Sequence, residues 1–105
     1  FPVETKNMTP GKVSLRKVNF PWLTHPIFII GDDDLSITWL KKNQDKLRKM
    51  NAIGLLAQVN TKGQAQQMKV LSKKLLLLPM SAYSIASRTQ CKHYPVLITN
   101  NSIEQ

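Results

Sequence analysis

The segment Tyr94-Pro95-Val96-Leu97-Ile98-Thr99 constrains this chain more than any other. A proline stands at the mouth of an apolar run that otherwise reads as a buried strand. Proline has no N–H for a ladder bond, so it can open a strand but not sit inside one. A short helical segment lies before it, joined by the link Cys91-Lys92-His93. The bond before proline is the one peptide bond for which the cis form costs little, and a cis proline held by a fold marks a deliberate turn. The backbone is expected to turn sharply at residue 95 and deliver the closing residues against a central sheet.

At 105 residues and 42% hydrophobic content the chain suffices for one domain with a real core. No apolar run approaches the roughly 20 residues of a membrane helix, so no membrane insertion of this domain is expected. The run Leu75-Leu76-Leu77-Leu78, with Pro79 and Met80 after it, is strand-sized. No signal peptide is visible, yet Phe1 is not a start residue, and the amino terminus is expected to be processed or trimmed. Fifteen Lys and Arg against six acidic residues give a net charge of +9, suited to nucleic acid, anionic lipid or acidic protein. A basic surface also serves solubility alone. Lysine outnumbers arginine and no basic run exceeds two residues, which suits solvated surface more than bidentate phosphate recognition. The single cysteine, Cys91, excludes an internal disulfide and a zinc ribbon.

Residues 1–26 hold four of the six prolines: Pro2, Pro10, Pro21 and Pro26. Between them, residues 12–20 alternate in part, with Val13 and Leu15 on one face and Ser14 and Arg16 on the other. This reads as an extended arm with one edge strand. Pro21-Trp22-Leu23 then sets a large apolar side chain against the core that follows. Pro26-Ile27-Phe28-Ile29-Ile30-Gly31 suits a strand buried on both faces. Asp32-Asp33-Asp34 opens a helix over residues 35–51, where carboxylates cap free N–H groups and oppose the positive helix end. Trp39, Leu40, Leu47 and Met50 form its apolar stripe, and Lys41, Lys42, Lys46 and Lys49 crowd its outer face and last turns.

Residues 52–59 read as a second strand. Thr61-Lys62-Gly63-Gln64 matches a capping box, with Gln64 as reciprocal partner of Thr61. The helix after it aligns Ala65, Met68 and Leu71 or Ser72. The leucine run is a third strand, and Ser81 caps a short third helix carrying Ile85 and Ala86. Residues 95–99 are the fourth strand, Asn100-Asn101 a turn that tolerates positive φ, and residues 102–105 a returning fifth strand. The order β-α-β-α-β-α-β-β after the arm predicts an α/β domain over residues 27–105, with a mostly parallel sheet made mixed by the terminal hairpin.

Candidate chemistry is sparse. Strand followed by Asp-Asp is how receiver domains hold magnesium, but the third strand ends Leu78-Pro79-Met80 with no phosphoacceptor aspartate, so capping is the better reading of the triplet. Cys91 and His93 are near neighbours in a link, where adjacent side chains point apart, and Cys91 reads as a buried core thiol. His25 before Pro26 is a loop residue. No nucleophile elbow, P-loop or dinucleotide glycine motif is present, so no catalytic residue, cofactor or metal ligand is expected. The Tyr94 backbone beside Pro95 could pair with an extended peptide, or the Tyr94 ring could simply pack on the helix before it; both readings stand. The lysine faces could bind phosphates.

Four segments resemble an uncharacterised family of integrating conjugative element proteins, encoded among conjugative-transfer genes of bacterial mobile elements. They are Phe1-Pro2-Val3 with Thr9-Pro10-Gly11, Ile29-Ile30-Gly31-Asp32-Asp33, Asn51-Ala52-Ile53-Gly54-Leu55, and His93 to Thr99 with Ile103-Glu104-Gln105, collinear over nearly the whole chain. The second half is also similar to the F-type TrbC pilus-assembly proteins, in which a strand, a short helix and a Val-Pro strand follow one another. Here the leucine run with Pro79, residues 81–88 and Tyr94-Pro95-Val96 take those places, with tyrosine before the proline and no aspartate before the short helix. The resemblance implies a thioredoxin-like three-layer α/β/α fold, export to the periplasm and a part in assembling a conjugative transfer apparatus.

Thioredoxin-type redox work needs Cys-x-x-Cys at the start of the first helix. Asp33, Asp34, Leu35 and Ser36 stand there instead. The expectation is a non-catalytic assembly factor that contacts other conjugative-transfer proteins through Tyr94, Pro95, Asp33, Asp34 and Ser36. The alternative is a nucleic-acid-binding accessory using Lys41, Lys42, Lys46 and Lys49.

Overall fold

The computed structural model describes residues 1–105. Eight strands and three helices follow in the order β1 (Thr9–Pro10), β2 (Arg16–Lys17), β3 (Ile27–Gly31), α1 (Asp34–Lys49), β4 (Ile53–Gln58), α2 (Lys62–Ser72), β5 (Leu76–Pro79), α3 (Tyr83–Thr89), β6 (His93–Tyr94), β7 (Val96–Ile98) and β8 (Ser102–Glu104). Six strands form one mixed sheet in the order β2-β8-β7-β3-β4-β5, and β1 and β6 form a separate parallel pair. The β3, β4 and β5 strands are parallel, whereas β7 runs antiparallel to β3 and β8 antiparallel to β7. The expected α/β class, alternation of strands and helices and closing hairpin are present, with β6 as an added strand; the sheet is less parallel than expected, since three of its five pairings are antiparallel.

Period-two alternation along β3 divides the core. Phe28 and Ile30 face a layer built from Trp39, Leu40 and Leu47 of α1 and Ala65 and Met68 of α2. Ile29 faces the opposite layer, where Ala86 of α3 joins Val96, Ile98 and Ile103, with Met8 and Leu23 from the arm. The result is three layers with the sheet in the middle. Phe28 stands opposite Gly54 in the ladder, and a Cβ on Gly54 would lie 2.2 Å from the Phe28 ring, so only glycine leaves room for that ring.

Asp33 is the N-cap of α1, and basic residues fill its last turn. Thr61 caps α2 through a bond from the Gln64 N–H to its hydroxyl at 3.1 Å, but the Gln64 side chain makes no return bond. Ser81 is not the cap of α3, which begins after Ala82; its hydroxyl accepts the Tyr83 N–H at 3.2 Å from one position earlier. Nor does Asn100-Asn101 use positive φ. The Thr99 hydroxyl accepts the Ser102 N–H at 2.9 Å and holds that turn from inside. The left-handed residues stand just past the helices instead: Asn51, Lys73 and Gln90.

The arm, residues 1–26, wraps the body. Val3 exchanges both backbone bonds with Val59, at 2.8 and 3.0 Å. The buried Thr5 hydroxyl donates to the Ala57 carbonyl at 2.9 Å and accepts the Ala82 N–H at 3.0 Å. The expected edge strand is two residues long, β2 against β8, and Leu15, expected beside Val13 on the inner face, is 68% exposed. Gln105 closes the wrap: its side-chain amide donates to the Gly11 carbonyl at 2.8 Å and the Pro95 carbonyl at 2.9 Å.

At the far side of the sheet β5 is an edge, with Leu76 and Leu78 exposed. The Met80 N–H donates to the Leu56 carbonyl at 3.2 Å. Alternate residues of a parallel strand turn their backbone groups to opposite sides, so Leu77 and Pro79 turn theirs outward.

Candidate functional site

The β3–α1 junction is a closed polar network. Asp33 accepts the Ser36 N–H at 3.0 Å through one carboxylate oxygen and the Ser36 hydroxyl at 2.7 Å through the other. The Ser36 hydroxyl in turn accepts the Gly31 N–H at 3.0 Å, and Ser36 has no exposed surface. Capping therefore occupies both oxygens of Asp33. Asp32 is half-buried and Asp34 exposed.

Tyr94 lies over this junction. A Cβ on Gly31 would stand 2.6 Å from the Tyr94 ring and 2.7 Å from an Asp33 carboxylate oxygen, so the absence of a side chain at 31 lets ring and cap meet. The Tyr94-Pro95 bond is cis, and both residues are buried. Burial pushes the Tyr94 phenol from 10.0 up to about 12, helped by the negative charges of Asp33 and Asp32, all of which penalise phenolate. Tyr94 and Pro95 thus stand at the start of α1.

The edge at Tyr94, where pairing with an extended peptide is one of two readings, is occupied. The β6 strand pairs in parallel with β1, Thr9 opposite His93 and Pro10 opposite Tyr94. The Thr9 N–H donates to the Lys92 carbonyl and the Gly11 N–H to the Tyr94 carbonyl, both at 3.0 Å. The extended peptide that this edge accepts is the chain's own arm. Of the five residues expected to meet a partner, Tyr94, Pro95 and Ser36 are buried, Asp33 is half-buried, and Asp34 alone is fully presented.

Cys91 is 6% exposed, with its sulfur 3.2 Å from the Thr89 hydroxyl, while the His93 ring meets the Thr9 hydroxyl at 3.0 Å. Each side chain is engaged with its own neighbour. Lys41, Lys42, Lys46 and Lys49 are all exposed on α1, and Lys46 is paired with Glu104. Sequence reasoning missed a second feature, a cleft of about 950 Å³ between the arm and the α3–β6 link, lined among others by Lys6, Arg16, Lys92 and His93. These residues are scattered over nearly the whole chain, and no local pattern announces their meeting.

Fold and site together define an α/β domain in which a hydrogen-bonded carboxylate and hydroxyl stand beside a cis proline. The chain belongs to the DUF2859 family, described as a protein of unknown function, whose model matches residues 1–103. No curated protein and no solved structure matches the chain.

Proposed function

We propose that this chain is a non-catalytic protein-interaction domain that serves the assembly of a conjugative transfer apparatus in the periplasm. One observation carries the reading: the strand edge beside Pro95 takes up an extended segment by backbone pairing, here residues 9–11 of the chain itself. Pairing of this kind uses main-chain groups for affinity and leaves side chains for specificity, the logic of strand addition between proteins. The engagement of Asp33 and Ser36 in capping supports the absence of redox work, since neither group exchanges thiols. The resemblance to integrating conjugative element proteins supplies the setting, and the resemblance to pilus-assembly proteins supplies the compartment.

The test is capture of the purified chain's partners among the other products of its own transfer operon, with nuclease present. Recovery of a transfer protein that survives nuclease and moderate salt is the expected result. Recovery of DNA alone in a parallel capture without nuclease, lost at moderate salt, would favour a nucleic-acid accessory using Lys41, Lys42 and Lys49, which are exposed and have no ion-pair partner.

A further inference from the structure

Two clefts of about 950 and 220 Å³ adjoin beside the arm, sharing Arg16, Gln90, Cys91, Lys92 and His93. We propose that this groove docks an acidic, extended peptide segment of a partner protein, an inference that rests on the protein-interaction reading above.

Charge is the first ground. Lys6 stands on the wall of the larger cleft and Lys12 on that of the smaller, with Arg16 and Lys92 common to both. None of the six acidic residues of the chain lines either one. The two ion pairs of the molecule, Lys46–Glu104 and Arg48–Asp45, lie elsewhere. Lys6, Lys12 and Lys92 are exposed and uncompensated, so an anionic ligand gains their attraction without breaking an existing pair. Arg16 is fixed in place: its guanidinium donates to the Thr89 carbonyl at 2.7 Å, tying the arm to the end of α3.

The lining is the second ground. Met8, Ala86 and Cys91 give the larger cleft an apolar share, and each is nearly fully buried. No Phe, Tyr or Trp side chain lines either cleft. Single-stranded nucleic acid is held largely by base stacking on aromatic rings, and the one ring in this groove, the imidazole of His93, is engaged with the Thr9 hydroxyl. The spaced, exposed cations Lys6, Lys12 and Lys92 suit an extended strand that carries a carboxylate at alternate residues.

The probe is a short labelled peptide of alternating glutamate and alanine, titrated into the whole chain and followed by binding anisotropy and amide shifts. The expected result is shifts at residues 6–9, 16 and 90–93. The double variant Lys6→Glu/Lys92→Glu should weaken binding roughly tenfold or more, and Lys41→Glu/Lys42→Glu, an equal change of net charge on α1, should change it less than about twofold. All four positions are exposed, and an unchanged thermal midpoint verifies that both variants fold. Equal weakening by both variants, shifts confined to α1, or no binding of the probe would overturn the proposal. So would displacement of the probe from the same amides by an equal concentration of short DNA. If the native chain and Lys6→Glu/Lys92→Glu capture the same operon partners equally, the groove proposal falls and the interaction reading stands. If the native chain captures none, the interaction reading falls, and with it the docking of a partner protein, even where the probe binds.

Discussion

The two coverings of the central sheet are built on different principles. On one face α1 and α2 repeat apolar residues at helical spacing, and burial is continuous from Trp39 through Leu47 to Met68. On the other, α3 is only seven residues long, and the arm completes the cover as an irregular strap held at single points: Val3, Thr5, Met8, Thr9, Gly11 and Arg16. A helical layer spreads its stability over many side chains. A strap concentrates it in a few contacts, of which the two bonds of the Thr5 hydroxyl are buried.

That contrast can be broken at several points. Leu40→Ala opens a cavity under α1 and is expected to cost about 2–5 kcal/mol by denaturant unfolding. Thr5→Val keeps the shape but strands the Ala57 carbonyl and the Ala82 N–H, a loss of roughly 2 kcal/mol. The two-principle account predicts different signatures for this pair. Thr5→Val should accelerate hydrogen exchange along the arm first, whereas Leu40→Ala should do so across the whole sheet. Uniform acceleration in both variants would show that strap and helices open as one unit.

Tyr94 reports on the junction between the two coverings. Its folded pKa of about 12 lies above the ordinary 10.0, so the fold favours the neutral phenol. The associated stability is full below pH 10 and declines as the unfolded phenol ionises, until the folded phenol also ionises near 12. Phenolate absorbance in a Tyr83→Phe background reads this directly, and Asp33→Asn should move the midpoint down by removing one nearby negative charge. A midpoint that does not move would exclude Asp33 as a contributor.

Lys73 follows α2 at φ 56° and ψ −118°, a conformation that favours glycine. Lys73→Gly is expected to stabilise the chain by about 1 kcal/mol, read as a raised thermal midpoint. The smallest effect is that of Lys46→Ala, which removes a surface ion pair with Glu104 and should change stability by less than about 0.5 kcal/mol.

Legibility from sequence follows the same division. The stripe of α1, the Asp33 and Thr61 caps and the strand opened by Pro95 are local patterns, each complete within a turn or a few residues. They were readable because the physics that sets them is short-ranged. Ser81 shows the limit of that reach: the hydroxyl does meet an α3 N–H, one position before the true cap. The pairing of Thr9 with His93 and of Thr5 with Ala82 spans most of the chain, and two-residue strands carry no periodicity to detect. The sequence therefore suggested an edge beside Tyr94 that was free for another molecule, whereas the arm had already taken it. The basic groove was unreadable for the same reason, being the by-product of where the arm comes to rest.

The outward side of β5 has a consequence for crowded conditions. Sheets that grow by copying, as fibrils do, need a donor and an acceptor at every second residue along the template. Here Leu77 supplies one N–H and Pro79, having none, withholds the next, while Lys73 and Lys74 place repelling charge at the head of the strand. The leucines of this margin can stay exposed at high concentration because the backbone beneath them is a poor template for a second copy.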